Sequence, residues 1–218
     1  MVAFLSPILF MATKTAIFLQ TTDVGSGATA TGVNFGSEDS GRRIVCAVHW
    51  AEGGTHRTLS SATIGGVSAT IHVQRGHTGG VTGLGAAIIS AIVPTGTSGT
   101  VDLNFSGSVT DSYIGTYRLT GFILGATGSD EHQTTTALLS VNIATSSGGI
   151  IIAAYTGSTN TVGTGVSWTG ATELYDAANT TRVSSAFVSG LSSGTQTVTA
   201  TQGTISNSGN DLVVSSWS

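Results

Sequence analysis

Apolar and polar residues alternate with a period of two along much of this chain. Val101, Leu103 and Phe105 alternate with Asp102 and Asn104; Ile89, Ala91 and Val93 alternate with Ile88, Ser90 and Ile92; Phe187, Ser189 and Leu191 alternate with Val188 and Gly190. Successive side chains of a strand point to opposite faces, so such runs predict strands that cover a core with one face and wet the other. No long stretch carries apolar residues at the three-and-four spacing of a helix, and glycine interrupts almost every window. Short runs rich in Val, Ile, Thr, Phe and Tyr are separated by Gly, Ser, Thr and Asn clusters, the spacing of sandwiches and barrels. Two runs depart from alternation. "IVCAV" (44–48) and "IIIAA" (150–154) are apolar on both faces, which predicts central strands covered on each side by sheet, arm or loop.

Those two runs lie in segments that resemble each other. "TGVNFGSEDSGRRIVCAV" (31–48) matches "LSVNIATSSGGIIIAAY" (139–155) at a shift of about 107 residues. The order then persists: Thr63-Ile64-Gly65-Gly66-Val67 corresponds to Ser167-Trp168-Thr169-Gly170-Ala171. "AAIISAIVPTGTSGTVDLNF" (86–105) corresponds to "SSAFVSGLSSGTQTVTAT" (184–201), and "YIGTYRLTG" (113–121) to "NDLVVSSWS" (210–218). Several features in one order predict a duplication, with two copies too few for a solenoid. The expected fold is all-β, an antiparallel sandwich of jelly-roll or Ig-like type, built from two pseudo-repeats of about six strands each. The expected organisation is an apolar arm or leading strand over 1–20, a first repeat over 21–124 and a second over 125–218. The boundary near "GATGSDEH" (125–132) is too short for a free linker, so the halves are expected to touch in one compact body. Glycines in "PTGTSG" (94–99) and "SSGT" (192–195) stand where a hairpin needs positive φ, and Pro94 ends its strand because it donates no ladder hydrogen bond.

Composition narrows the function classes. Only 8% of residues are charged and 39% are hydrophobic, the opposite of a disordered chain. A net charge of −4, with Lys14 the only lysine and six arginines, provides no basic stripe for phosphates, so no nucleic-acid partner is expected. Cys46 has no partner for an intrachain disulfide and reads as a small buried hydrophobe. The N-terminal "MVAFLSPILFMATKTAIFLQ" has no positive residue ahead of its apolar run and is interrupted by Pro7, so neither a signal peptide nor a membrane span is expected. Met11 could equally serve as a start. Phe4, Leu5, Ile8, Leu9 and Phe10 make this arm a candidate assembly contact, each adding about 1.5–3 kcal/mol if buried.

Candidate chemistry is sparse. His49, His56, His72 and His77 lack the spacing of converging metal ligands, and the second half has no counterparts. There is no G-x-S-x-G elbow, and serine is too common for any Ser-His-Asp set to carry information. Asp102, Asp111, Glu173 and Asp176 lie near predicted turns or strand ends and read as solvated turn acids rather than a glycosidase pair. "GHTGGVTGLG" (76–85) lacks the lysine and the following helix of a phosphate loop. Asn104-Phe105-Ser106 and Asn179-Thr180-Thr181 are formal glycosylation sequons of little weight in so Ser/Thr-rich a chain. Trp50, Trp168, Trp217, Tyr113, Tyr117, Tyr155 and Tyr175 read mainly as core or rim packing. Trp168 with Tyr175 forms the candidate platform for a glycan. No enzyme activity, cofactor or metal is expected.

The run "GRRIVCAVHWAEG…RTLSSATIGGVSATIHVQ…GAAIISAIVPTGTSGTVDLNFSG…IGTYRLTG", followed by a weaker copy ending in "VVSSWS", resembles a group of uncharacterised virion structural proteins of tailed bacteriophages and prophages. The resemblance covers about residues 21–218. It implies a virion location on the head surface or tail, with the major capsid protein or other virion proteins as partners and a homo-oligomeric state. It transfers no functional residues, because no catalytic motif defines the group. A capsid decoration or cement protein is the first reading, and a tail or fibre module binding host-surface carbohydrate is the alternative.

Overall fold

A computed structural model describes residues 13–76, 83–122, 126–158, 165–178, 181–203 and 209–218. The first half contains β1 (Thr15–Asp23), β2 (Thr29–Asn34), β3 (Arg43–Glu52), β4 (Leu59–Ile64), β5 (Val67–Ser68), β6 (Thr70–Gly76), β7 (Gly83–Ile92), β8 (Ser98–Phe105) and β9 (Asp111–Thr120). The second contains β10 (Gly128–Thr134), β11 (Leu138–Thr145), β12 (Gly149–Ser158), β13 (Val166–Thr169), β14 (Thr172–Ala178), β15 (Thr181–Leu191), β16 (Gly194–Gln202) and β17 (Asn210–Trp217). The halves thus hold nine and eight strands rather than about six. The surplus comes from β1, expected as an arm or leading strand outside the first repeat, from β10 at the expected boundary, and from short edge pieces such as β5.

All pairings are antiparallel, and the fold is an all-β sandwich. The first half forms an inner sheet ordered β1-β9-β3-β7-β6 and an outer sheet ordered β2-β8-β4-β5. The second forms an inner sheet β10-β17-β12-β15-β14 and an outer sheet β11-β16-β13. Counted from the start of each half, and leaving out the two-residue β5, the strands follow one order. In each, the chain crosses between sheets at most connections and its first and last strands lie side by side, the nested winding of a jelly roll.

Three apolar clusters stack these four sheets in sequence. Ile44, Cys46, Val48, Ile89, Ile64 and Leu103 fill the space between the first outer and first inner sheets. Val45, Ala47, Ile88 and Tyr117 meet Ile150, Ile152, Ala154, Val213 and Trp217 between the two inner sheets. Ile151, Ala153, Tyr155, Val141, Val198 and Val214 fill the last gap. The inner sheets are therefore covered on both faces, which explains why "IVCAV" and "IIIAA" do not alternate. The same position corrects the reading of β7: Ile88 and Ser90, expected to be wet, lie against the second half, and both are buried. Among the described residues, the outer sheets keep a wet face. There Asp102 accepts hydrogen bonds from Thr29 (2.8 Å) and Thr63 (3.1 Å), and Thr197 donates to Asn142 (2.7 Å).

One end of the first sandwich is closed by a buried arginine. Arg42 Nε donates to the Val93 carbonyl (2.6 Å), Nη1 to Gly36 (2.9 Å) and Ser37 (3.0 Å), and Nη2 to Thr95 (2.9 Å) and Gly96 (2.6 Å). Its planar fork of donors suits the convergent carbonyls of the β2–β3 and β7–β8 connections. Gly96 (φ 77°) and Gly194 (φ 138°) occupy the turn positions that their sequence spacing predicts.

Candidate functional site at the seam between the sandwiches

A set of buried titratable and hydroxyl side chains gathers between the two inner sheets. Alternation on β3 sends Arg43, Val45, Ala47 and His49 toward the second half, and alternation on β12 sends Ile150, Ile152, Ala154 and Thr156 back. His49 and Thr156 are separated by 107 residues, the same shift that relates the two halves in sequence. They meet across the seam.

The geometry assigns the protons. Thr156 Oγ1 donates to the Gly85 carbonyl (3.0 Å), so its contact with His49 Nδ1 (2.9 Å) must be one in which the imidazole N–H donates. His49 Nε2 is left as an acceptor and receives a hydrogen bond from the Tyr175 hydroxyl, whose ring meets the imidazole edge-on at 5.8 Å. This tautomer is neutral, and complete burial pushes the His49 pKa down to about 3. Beside it, the Tyr117 hydroxyl donates to Ser185 Oγ, which itself donates to the Ala153 carbonyl (2.8 Å). Phe18 of β1 stacks on Tyr175 with ring centroids 5.8 Å apart and tilts against Tyr117 at 5.2 Å. Burial raises both phenols well above their ordinary range.

The other edge of the seam carries charge. Arg75 on β6 and Glu131 on β10 form an ion pair of 3.1 Å that joins the two sheets near solvent. Asp211 on β17 is fully buried, and neither carboxylate oxygen has a hydrogen-bond partner. Burial pushes its pKa up to about 8, with Arg75 pulling it down and Glu131 raising it. Toward the start of β3, Arg43 Nη1 donates to Ser90 Oγ (2.9 Å), Ser90 contacts His72 Nε2 (2.7 Å), and His72 lies edge-on to Trp217 at 5.6 Å.

Most of these groups are engaged with one another or with the backbone across the seam. The Thr156 and Ser185 hydroxyl protons go to backbone carbonyls, and the His49 acceptor is taken by Tyr175. His49, Tyr117, Ser185 and Asp211 have no exposed surface. Among the described residues, no group of three His, Cys, Asp or Glu side chains is placed to hold a metal ion.

The residues singled out from sequence fall as follows. Phe4, Leu5, Ile8, Leu9 and Phe10, together with His77 and Asn179, lie outside the described residues. Trp168 and Tyr175 do not combine into a glycan platform. Trp168 packs against the core between the second inner and outer sheets and donates its indole N–H to Ser184 Oγ (2.8 Å), whereas Tyr175 enters the seam on the opposite face of the same inner sheet. Cys46 is a free, buried thiol that burial pushes up to about 12. Asp176 is not a solvated turn acid: it pairs with Arg182 (2.9 Å) and accepts the backbone N–H of Val166 (3.0 Å). Asp111, at 2% exposure, is also buried. Sequence reading missed Arg43, Thr156, Ser185 and Asp211. The available signal was a polar residue at an inward position of a doubly apolar strand, where burial is certain and a partner obligatory.

In comparisons with family models, with curated proteins and with solved structures, nothing matches this chain.

Proposed function

We propose that the chain is a non-enzymatic structural component of a tailed-phage virion, a capsid decoration or cement protein that attaches through contacts including its N-terminal arm. The observation that carries the reading is the seam. The imidazole of His49 and the phenols of Tyr117 and Tyr175 are engaged there in hydrogen bonds across the seam, and the wet faces present mainly hydroxyl and amide groups. A particle component exposed to proteases and dilution benefits from such a body, because local opening is what proteases exploit. The resemblance of residues 21–218 to phage virion proteins supports the same reading. Thr13, the first described residue, borders two open grooves together with Phe122. The partner is the major capsid protein or another virion protein. Repetition on the lattice strengthens a weak arm contact only if the subunits are themselves linked as oligomers.

The test is to mix purified protein with expanded capsids that lack it and count bound copies by cryo-electron microscopy. Saturable binding at lattice sites, lost on deletion of residues 1–12, is the expected result. Binding of the armless body to host cells instead would establish the tail-adhesin alternative, and cleavage of a host polymer would overturn the non-enzymatic assignment.

A further inference from the structure

Arg43 is 8% exposed, and among the described residues no acidic side chain forms an ion pair with it. All eleven acidic side chains lie among the described residues. The ion pairs there are Arg75–Glu131 and Arg182–Asp176, and Arg43 joins neither. Its Nη1 is satisfied by Ser90, but its Nε is buried with no acceptor. The indole N–H of Trp217, a fully buried residue, also has none. These two donors belong to one cluster, linked through Ser90 and through His72, whose ring lies against Trp217. His72 contributes no charge, since burial and the neighbouring Arg43 push its pKa down to about 4.

A buried N–H without an acceptor is uncommon and calls for an explanation by water or an ion. A buried cation without a partner is costlier still. Water would satisfy the two N–H groups but leave the guanidinium charge uncompensated, whereas a small monovalent anion satisfies both requirements. We propose that Arg43 Nε and Trp217 Nε1 bind one chloride-sized anion in the seam, so that the ion contributes to holding the two sandwiches together. A divalent anion would leave excess negative charge against a single guanidinium in an apolar setting.

Two measurements on the full chain test this. Crystals soaked in bromide should show an anomalous peak within hydrogen-bond distance of both nitrogens in the native protein and none in Arg43→Gln. Thermal unfolding at constant ionic strength, with chloride exchanged for gluconate, should show a saturable rise of about 3–6 °C at a tenfold excess of chloride over its Kd. That rise should vanish in Arg43→Gln, and in Trp217→Phe should the first variant fail to fold. No peak, with equal unfolding in the two salts, would assign the donors to water and overturn the proposal. A bromide peak without chloride-dependent stability would mean an adventitious ion only, and would overturn it equally.

Discussion

A Cβ on Gly115 would stand 2.5 Å from Cε1 of Tyr175 and 2.8 Å from its hydroxyl. A glycine in the middle of β9 is thus the seat for an aromatic side chain from the other half. Gly115→Ala should push Tyr175 away from His49 and cost about 1–3 kcal/mol, the range for overpacking a close-fitting interior. The check is a double-mutant cycle by denaturant unfolding. In Tyr175→Ala the added methyl has room, so the two losses should be markedly less than additive. Simple additivity would show that the seam does not transmit this contact.

His49 should be the Nδ1–H tautomer and stay neutral down to about pH 4, because its depressed pKa lies near 3. Nitrogen chemical shifts of the imidazole ring read both properties directly. Titration near pH 6 would contradict the hydrogen-bond assignment. Replacing His49 by Leu leaves the Tyr175 hydroxyl and Thr156 Oγ1 without their imidazole partner, and unfolding free energy should drop by about 2–4 kcal/mol.

Stability should peak near pH 6.5. His49 and His72 have folded pKa values of about 3 and about 4, below the ordinary 6.5, so their contribution is complete above 6.5 and lost as pH falls. Asp211 runs the other way: raised from 3.8 to about 8, it favours the fold fully below 3.8 and loses that contribution as pH rises toward 8. From about pH 4 to 6.5 the two histidines outweigh the single carboxyl. Above 6.5 the carboxyl acts alone and removes about 2 kcal/mol by pH 8. Asp211→Asn should flatten this alkaline slope in chemical denaturation; an unchanged slope would place the titrating group elsewhere.

Arg42→Lys should cost several kcal/mol although the charge is kept. A lysine ammonium cannot reproduce a planar fork directed at carbonyls from two loops, and the acceptors it abandons include the buried Val93 carbonyl. Hydrogen exchange should localise the effect, with faster exchange in residues 35–41 and 93–97 and little change in β12 or β17. Uniform loss of protection would argue against a local role.

Strand character was legible because a period of two is a local property, readable from "VDLNF" without reference to any other part of the chain. The central place of β3 and β12 was legible as well, since a run apolar on both faces requires cover on both. β7 misled because Ser90 looks like a wet position. It is a hydrogen-bonding position inside the seam, and only its neighbours Arg43 and His72 reveal that. Trp168 and Tyr175 misled for a related reason: seven residues apart in sequence, they belong to strands of different sheets and point to opposite sides of one of them.

Alternation and turn chemistry determined by themselves that this chain forms antiparallel sheets, because hydrophobic period and glycine placement act over a few residues at a time. Only the tertiary structure decided that the halves stack face to face in four layers and that Arg43, His49, Tyr175 and Asp211 meet between them. The physical reason is that burial of a polar group is a cost set by its partners, and those partners lie tens to more than a hundred residues away, where no local pattern records them.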